Sequence, residues 1–260
     1  MNRSNTIITT LVVAALAQVA SAQGTLKGRL VFDGKAPTPA AINVDKDVAF
    51  CGAFGLKSEK LVVNPKNGGV KNVVVYLYVS ARGKKPPVSA AAKKRPAEVR
   101  IDGQKCRFEP RIVAITVDQA LTIGNKDSIA HNSKIDVISA ANISINPIIP
   151  AGKDYKHKFN VEERLPIPIS CSIHPWMNGY ILIKDNPYFA VTDEDGNFEI
   201  KDLPTGEWTF RFWQENVGYV QKVKFEGKAT TWKRGEKKVK IAKGKTVDLK
   251  EVKSDFKPKS

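Results

Sequence analysis

Imidazoles and thioethers are scarce in this chain. It has 260 residues but only three histidines, two methionines and three cysteines. So few histidines exclude a multi-metal centre built from many imidazoles. No Ser/His/Asp arrangement, phosphate-cradling G-x-x-x-x-G-K loop or dinucleotide fingerprint is present. Acids are also short, 26 against 42 Lys and Arg, which leaves a formal charge of +16. Such a balance favours anionic partners, among them an acidic protein surface. Nucleic acid is not expected, because no recognition motif accompanies the charge. Asp193, Glu194 and Asp195 lie together, but at a turn signal and without a full oxygen-ligand loop, so no calcium site is expected.

Long apolar runs are missing too. The longest, at 7–20, is shorter than the ~20 residues a membrane span needs. It follows Arg3 and leads to Ala20-Ser21-Ala22 ahead of Gln23. This is the pattern of a secretory signal peptide over 1–22, without a cysteine at the cleavage site for a lipid anchor. The expectation is an exported protein of the periplasm or cell surface, with no transmembrane segment.

The remainder reads as all-β. Residues 24–32 alternate, 70–79 are nearly continuous in β-branched and aromatic residues and imply burial on both faces, and 38–60 are irregular. Residues 82–97, rich in Pro, Lys and Ala, form a linker with room for one helical turn. A second β-rich block covers 98–185. In it Leu165, Ile167, Ile169 and Cys171 share one face, which drives the cysteine inward. Pro166 and Pro168 remove two donors from one side of that segment, so it is an edge strand on that side or irregular. Strands and an Asp-Gly hairpin signal at 195–196 continue over 186–252, and 253–260 read as a frayed basic tail.

The chemistry concentrates at 171–179, C-S-I-H-P-W-M-N-G. Cys171, His174 and Met177 are spaced so that a tight loop can turn them to one point, and His131 lies forty residues upstream, followed by Asn132. One thiolate, two imidazoles and a weak thioether are the ligand set of a trigonal blue-copper site with a long axial Met. Cys171, His131, His174 and Met177 are therefore the candidate ligands for one type 1 copper. If Cys171 binds metal, Cys51 and Cys106 are left to form a disulfide; the alternative bonds Cys171 and leaves another thiol over. His157 alternates with Tyr155 and Phe159 and reads as a half-buried core residue.

Residues 98–185 resemble a cupredoxin, closest to the amicyanin and plastocyanin group. The resemblance rests on Phe108-x-Pro110, on Asn125-x-Asp127 ahead of His131-Asn132, and on C-x-x-H-P-x-M-x-G at 171–179. It implies an eight-stranded β-sandwich with copper at one end and Asn132 bracing the His131 and Cys171 strands. It also implies an electron port at the edge of His174, with Pro175 and Trp176 as a docking patch. The flanks, 23–81 and 186–252, resemble the two halves of a carboxypeptidase regulatory-like (transthyretin-like) β-sandwich. That likeness rests on GRLVFDGKAP at 28–37 with VVVYL at 73–77, and on TDEDGNF at 192–198 with LPTG at 203–206 and Gly218-Tyr219. The cupredoxin would then be inserted into that domain, a combination similar to exported bacterial methylamine-utilisation or plastocyanin-like proteins. The implied function is single-electron transfer to a redox partner with an acidic docking surface, and not an enzyme. The alternative is a binding or scaffold module in which copper is structural or absent.

Overall fold

A computed structural model describes residues 23–257. The expected signal peptide, 1–22, and residues 258–260 of the tail lie outside the described residues. The chain opens with β1 (Gln23–Phe32), a single helical turn α1 (Val48–Cys51), β2 (Val74–Tyr78) and a second turn α2 (Ala90–Lys93). Next come β3 (Glu98–Gln104), β4 (Arg107–Glu109), β5 (Ile112–Thr116), β6 (Ala120–Asn125), β7 (His131–Asn132) and β8 (Lys134–Ile135). β9 (Ile148–Ile149), β10 (Asp154–His157), β11 (Ile167–Ser170) and β12 (Asn178–Lys184) complete the middle. β13 (Phe189–Val191), β14 (Asn197–Pro204), β15 (Gly206–Gln214) and β16 (Gly218–Tyr219) follow. β17 (Lys222–Phe225), β18 (Lys228–Thr231), β19 (Glu236–Ile241) and β20 (Thr246–Ser254) close the fold.

The strands sort into two sets. Flanking strands form one sheet of order β14-β1-β20-β17-β18 and another of order β13-β2-β15-β16, with β19 also on β15. Middle strands form sheets β5-β12-β11-β8 and β10-β6-β3-β4, and a small β7-β9 ladder. No ladder among the described residues joins the sets. The protein is thus all-β, with sandwich packing in each set.

Strand alternation builds these layers. On β2, Val75 and Leu77 face a core shared with Leu26 and Leu30 of β1 and Phe210 and Phe212 of β15. The opposite face, Val74 and Tyr76, meets Ile112 of β5 and Leu182 of β12, together with Trp213. The β2 run is therefore buried on both faces, as its apolar density implies. On β12, Ile181 and Ile183 point the other way, into a core with Ile101, Phe108, Leu121 and Ile123. Four sheets stack in sequence, and each fully buried Leu, Ile or Phe in them contributes roughly 1.5–3 kcal/mol. A buried bidentate pair, Arg111 Nε to Glu215 Oε1 at 2.6 Å and Nη2 to Oε2 at 2.8 Å, also crosses between the two sets.

The proline-bearing strand delivers Cys171 as the alternation requires. Pro168 pairs with Tyr180, and Tyr180 donates its N–H away from β11, to the Arg111 carbonyl at 2.9 Å. Pro168 and Tyr180 are thus a non-hydrogen-bonded pair. The nitrogen of Pro168 faces the β8 side, where pairing covers only Ile169 and Ser170.

Two sequence boundaries need correction. In the irregular stretch, expected to belong to the first flank, Ile42, Val44, Phe50, Cys51, Phe54 and Leu56 pack on the middle core. The reason is covalent: Cys51 is bonded to Cys106, beside β4. The tail is also shorter than expected. β20 pairs with β1, with a shift of register after Lys27, as far as Ser254, and Phe256 is 1% exposed in the flanking core. Lysines at the end hid that apolar anchor.

The Asp-Gly turn is tight but joins no hairpin: β13 pairs with β2 and β14 with β1, in different sheets, and its acids do turn chemistry. Asp193 Oδ1 accepts the N–H groups of Asp195 and Asn197, while Asp195 Oδ1 accepts from Asn64 and Asn67. Gly196 has φ +79°, and a Cβ there would lie 2.2 Å from the Leu30 carbonyl oxygen. Gly196→Ala is expected to cost more than ~1 kcal/mol. Gly227→Ala is the comparison, because Gly227 shares the backbone angle, φ +75°, but has nothing within 4 Å. Urea unfolding of both variants checks this; equal losses would mean that the Leu30 contact does not matter.

Candidate metal centre

Three donors meet at one end of the middle sandwich. The ring nitrogens of His131 and His174 and the sulfur of Cys171 all lie within 4.8 Å of one another, and all three residues are buried. Nδ1 of His131 is 3.0 Å from Nδ1 of His174, and Cys171 Sγ is 3.8 Å from the same His174 nitrogen. Among the described residues this is the one such cluster of His, Cys or acids.

Local chain geometry sets each donor. Cys171 leaves the end of β11, and its N–H bonds to the Met177 carbonyl at 3.1 Å. Met177 N–H in turn bonds to the His174 carbonyl at 2.8 Å. This closes a tight loop that brings Cys171 and His174 together, with Met177 fully buried. His131 arrives on β7. Asn132 beside it ties the two strands: its Oδ1 accepts the N–H of Ser172 at 2.7 Å, the N–H of Ile173 at 3.2 Å and the Cys171 thiol at 3.3 Å. Asn125 steadies the approach by donating to the Ile129 and Ile149 carbonyls.

The far nitrogens of both rings face carboxylates. His131 Nε2 is 2.9 Å from Asp127 Oδ2. Asp127 is itself held by the N–H groups of Lys105 and Cys106. His174 Nε2 is 2.7 Å from Asp47 Oδ2. A neutral imidazole has one N–H, and a carboxylate facing Nε2 claims it. Once His131 gives up its extra proton, two Nδ1 lone pairs lie 3.0 Å apart beside a sulfur, which is a receptor for a cation. Burial works against charging His131, but the bonds to Asp127 and Cys171 outweigh it and push its pKa up to about 9. Burial likewise opposes the Cys171 thiolate, yet bonds from His131 and from the His174 and Asn132 backbone bring it down to about 7. The thiolate is therefore available near neutrality. Two imidazoles, a thiolate and a buried thioether in the same loop are a soft, mixed donor set that fits copper.

Other residues fall outside the cluster. His157 stands on β10 with its ring edge-on to Phe159 at 4.7 Å, and burial lowers its pKa. Trp176 is half-buried, 5.3 Å from the His174 ring, and donates Nε1–H to the Cys106 carbonyl. The edge of His174, expected as the electron port, is 0% exposed, and the Asp47 carboxylate lies on its Nε2. Of that patch, Pro175 is exposed and Trp176 half-exposed. Asp47 itself escaped the sequence reading, since it lies in an aperiodic stretch. Its one signal was Cys51, four residues on, whose pairing with Cys106 carries the segment to this end of the sandwich.

No family model and no curated protein match the chain. Solved structures do. The copper-containing nitrite reductase of Thermus scotoductus is 21% identical over 38% of this chain and 25% of its own, with a TM-score of 0.31. The chain thus spans about a quarter of that enzyme's length. A purple cupredoxin from Nitrosopumilus maritimus is 25% identical, over 33% of this chain and 98% of its own, TM-score 0.27. An amicyanin variant in the Cu(I) form is 17% identical, over 42% and 98%, TM-score 0.31. These three, each similar to part of this chain only, are cupredoxin structures.

Proposed function

We propose that this chain is an exported, non-catalytic type 1 copper protein that passes single electrons. His131, Cys171 and His174 would hold the metal, with the Met177 thioether as a fourth donor. The observation that carries the reading is the pair of Nδ1 atoms 3.0 Å apart beside the Cys171 sulfur, with each Nε2 on a carboxylate. Bound copper supplies a one-electron couple. The protein's part is to keep the donors fixed and dry: Asn132 clamps the Cys171 loop to the His131 strand, and both rings are buried.

The middle strands form the copper-bearing unit. The flanking sheets form a regulatory-like sandwich into which it is inserted, a reading supported by ladders that stay within each set. With His174 buried, the exposed residues around the site include Asp47, Ser172, Ile173 and Pro175, with Trp176 half-buried. Lys57, Lys60 and Arg107 line the hollow beside Trp176, which suits a redox partner with acidic groups. No helix of the described residues is long and apolar enough to cross a membrane.

The test is a cupric titration of the protein from residue 23 onward, followed by its visible spectrum. One equivalent should produce an intense absorption that ascorbate bleaches. A colourless protein would end the copper reading and leave a binding or scaffold module.

A further inference from the structure

The carboxylate on His174 comes from an unusual place. Asp47 sits 127 residues away in sequence, on the stretch that the Cys51–Cys106 bond holds against the middle sandwich. Its backbone is in the left-handed region, φ 44° and ψ 44°, which few non-glycine residues adopt. It is the N-cap of α1, where an aspartate ordinarily accepts a backbone N–H, but its side chain makes no cap bond. Asp47 therefore bears backbone strain and forgoes its cap, while its carboxylate lies 2.7 Å from His174 Nε2. Strained residues of this kind gather where the surroundings demand a particular side-chain position.

We propose that Asp47 is a positioning residue for the metal centre: it takes the Nε2–H of His174, presents Nδ1 to the metal, and adds negative charge that favours the cupric over the cuprous state. Asp127 does the same for His131 from the other side, so the two rings are held between two carboxylates. This rests on the copper reading above. It goes further by giving a segment outside the ligand loops control of the ligand and of the couple. Carboxylates on the far nitrogen of a metal-bound histidine fix its tautomer and raise its basicity.

The test compares the wild type with Asp47→Asn, Asp47→Gly and Asp45→Asn. Glycine accepts the φ of residue 47, so deleting the carboxylate adds no backbone strain. Asp45 is an exposed acid of the same stretch without a contact to His174 and controls for charge alone. Asp47→Gly should lose roughly 10–100-fold in cupric affinity, with Asp47→Asn between it and the wild type. The cuprous ion should lose less, and a tenfold difference raises the midpoint potential by about 59 mV. Asp45→Asn should leave the potential in place. Equal losses for both ions in Asp47→Gly, with an unmoved potential, would overturn the proposal and leave Asp47 a merely structural contact. If the wild type itself binds no copper, the copper reading fails. Asp47 is then judged on metal-free protein by carbethoxylation of His174, followed by mass spectrometry. Protection in the wild type and Asp45→Asn with labelling in Asp47→Gly supports the contact; equal labelling in all three refutes it.

Discussion

Cys171→Ser should be colourless with cupric ion while remaining folded. The visible absorption of a blue site comes from its thiolate, and Cys171 is the one free cysteine among the described residues. The Cys171 thiol ionises at about 7, so the sulfur is ready to bind near neutrality. A serine hydroxyl does not ionise there. Folding should survive, because the replacement is small and can keep the bond that Cys171 makes to Asn132 Oδ1. The expected result is loss of the whole visible band with an unchanged circular dichroism spectrum. An equally coloured variant would remove Cys171 from the ligand set.

Removing the disulfide should produce the largest loss of stability. Cys51 and Cys106 are separated by 55 residues and both are fully buried. A loop of that length restricts the unfolded chain by roughly 4 kcal/mol. The double variant Cys51→Ser, Cys106→Ser should lose about that much in guanidinium unfolding, measured on the metal-free protein. Its second consequence is local. Asp47 lies four residues from Cys51, so the released stretch should uncover His174 and open it to carbethoxylation. A loss under ~1 kcal/mol, or a His174 that stays protected, would show that the packing of Phe50, Phe54 and Leu56 on the middle core holds the cover in place without the bond.

The candidate donors were readable because coordination chemistry leaves residue types at fixed spacing: Cys171 and His174 lie three residues apart in one loop, and they meet His131 in the fold. The middle strands were readable because burial on one face imposes alternation, as in Ile167, Ile169 and Cys171. Neither signal reports on chain segments without a period. Asp47 is one polar residue in such a segment, and only the three-dimensional path set by Cys51 gives it meaning. The parallel pairing of β1 with β20 was equally hidden. Nothing local in Thr25–Phe32 names Thr246–Ser254 as its partner. The Asp47 contact with His174 was missed for the same reason: Asp47 lies outside 98–185, the stretch that carries the resemblance.

The same pairing sets the order in which a growing chain can settle. Every ladder partner of β3 to β12 is made between Glu98 and Lys184, so that unit has all its pieces early. β1 does not. Its Phe32 waits for Ser254, roughly 220 residues later, which at about 5–20 residues per second is roughly 10–40 s of synthesis. The first strand made is thus among the last to find its place. Until then its backbone edge is open to other chains, and the newborn molecule depends on whatever shields that edge.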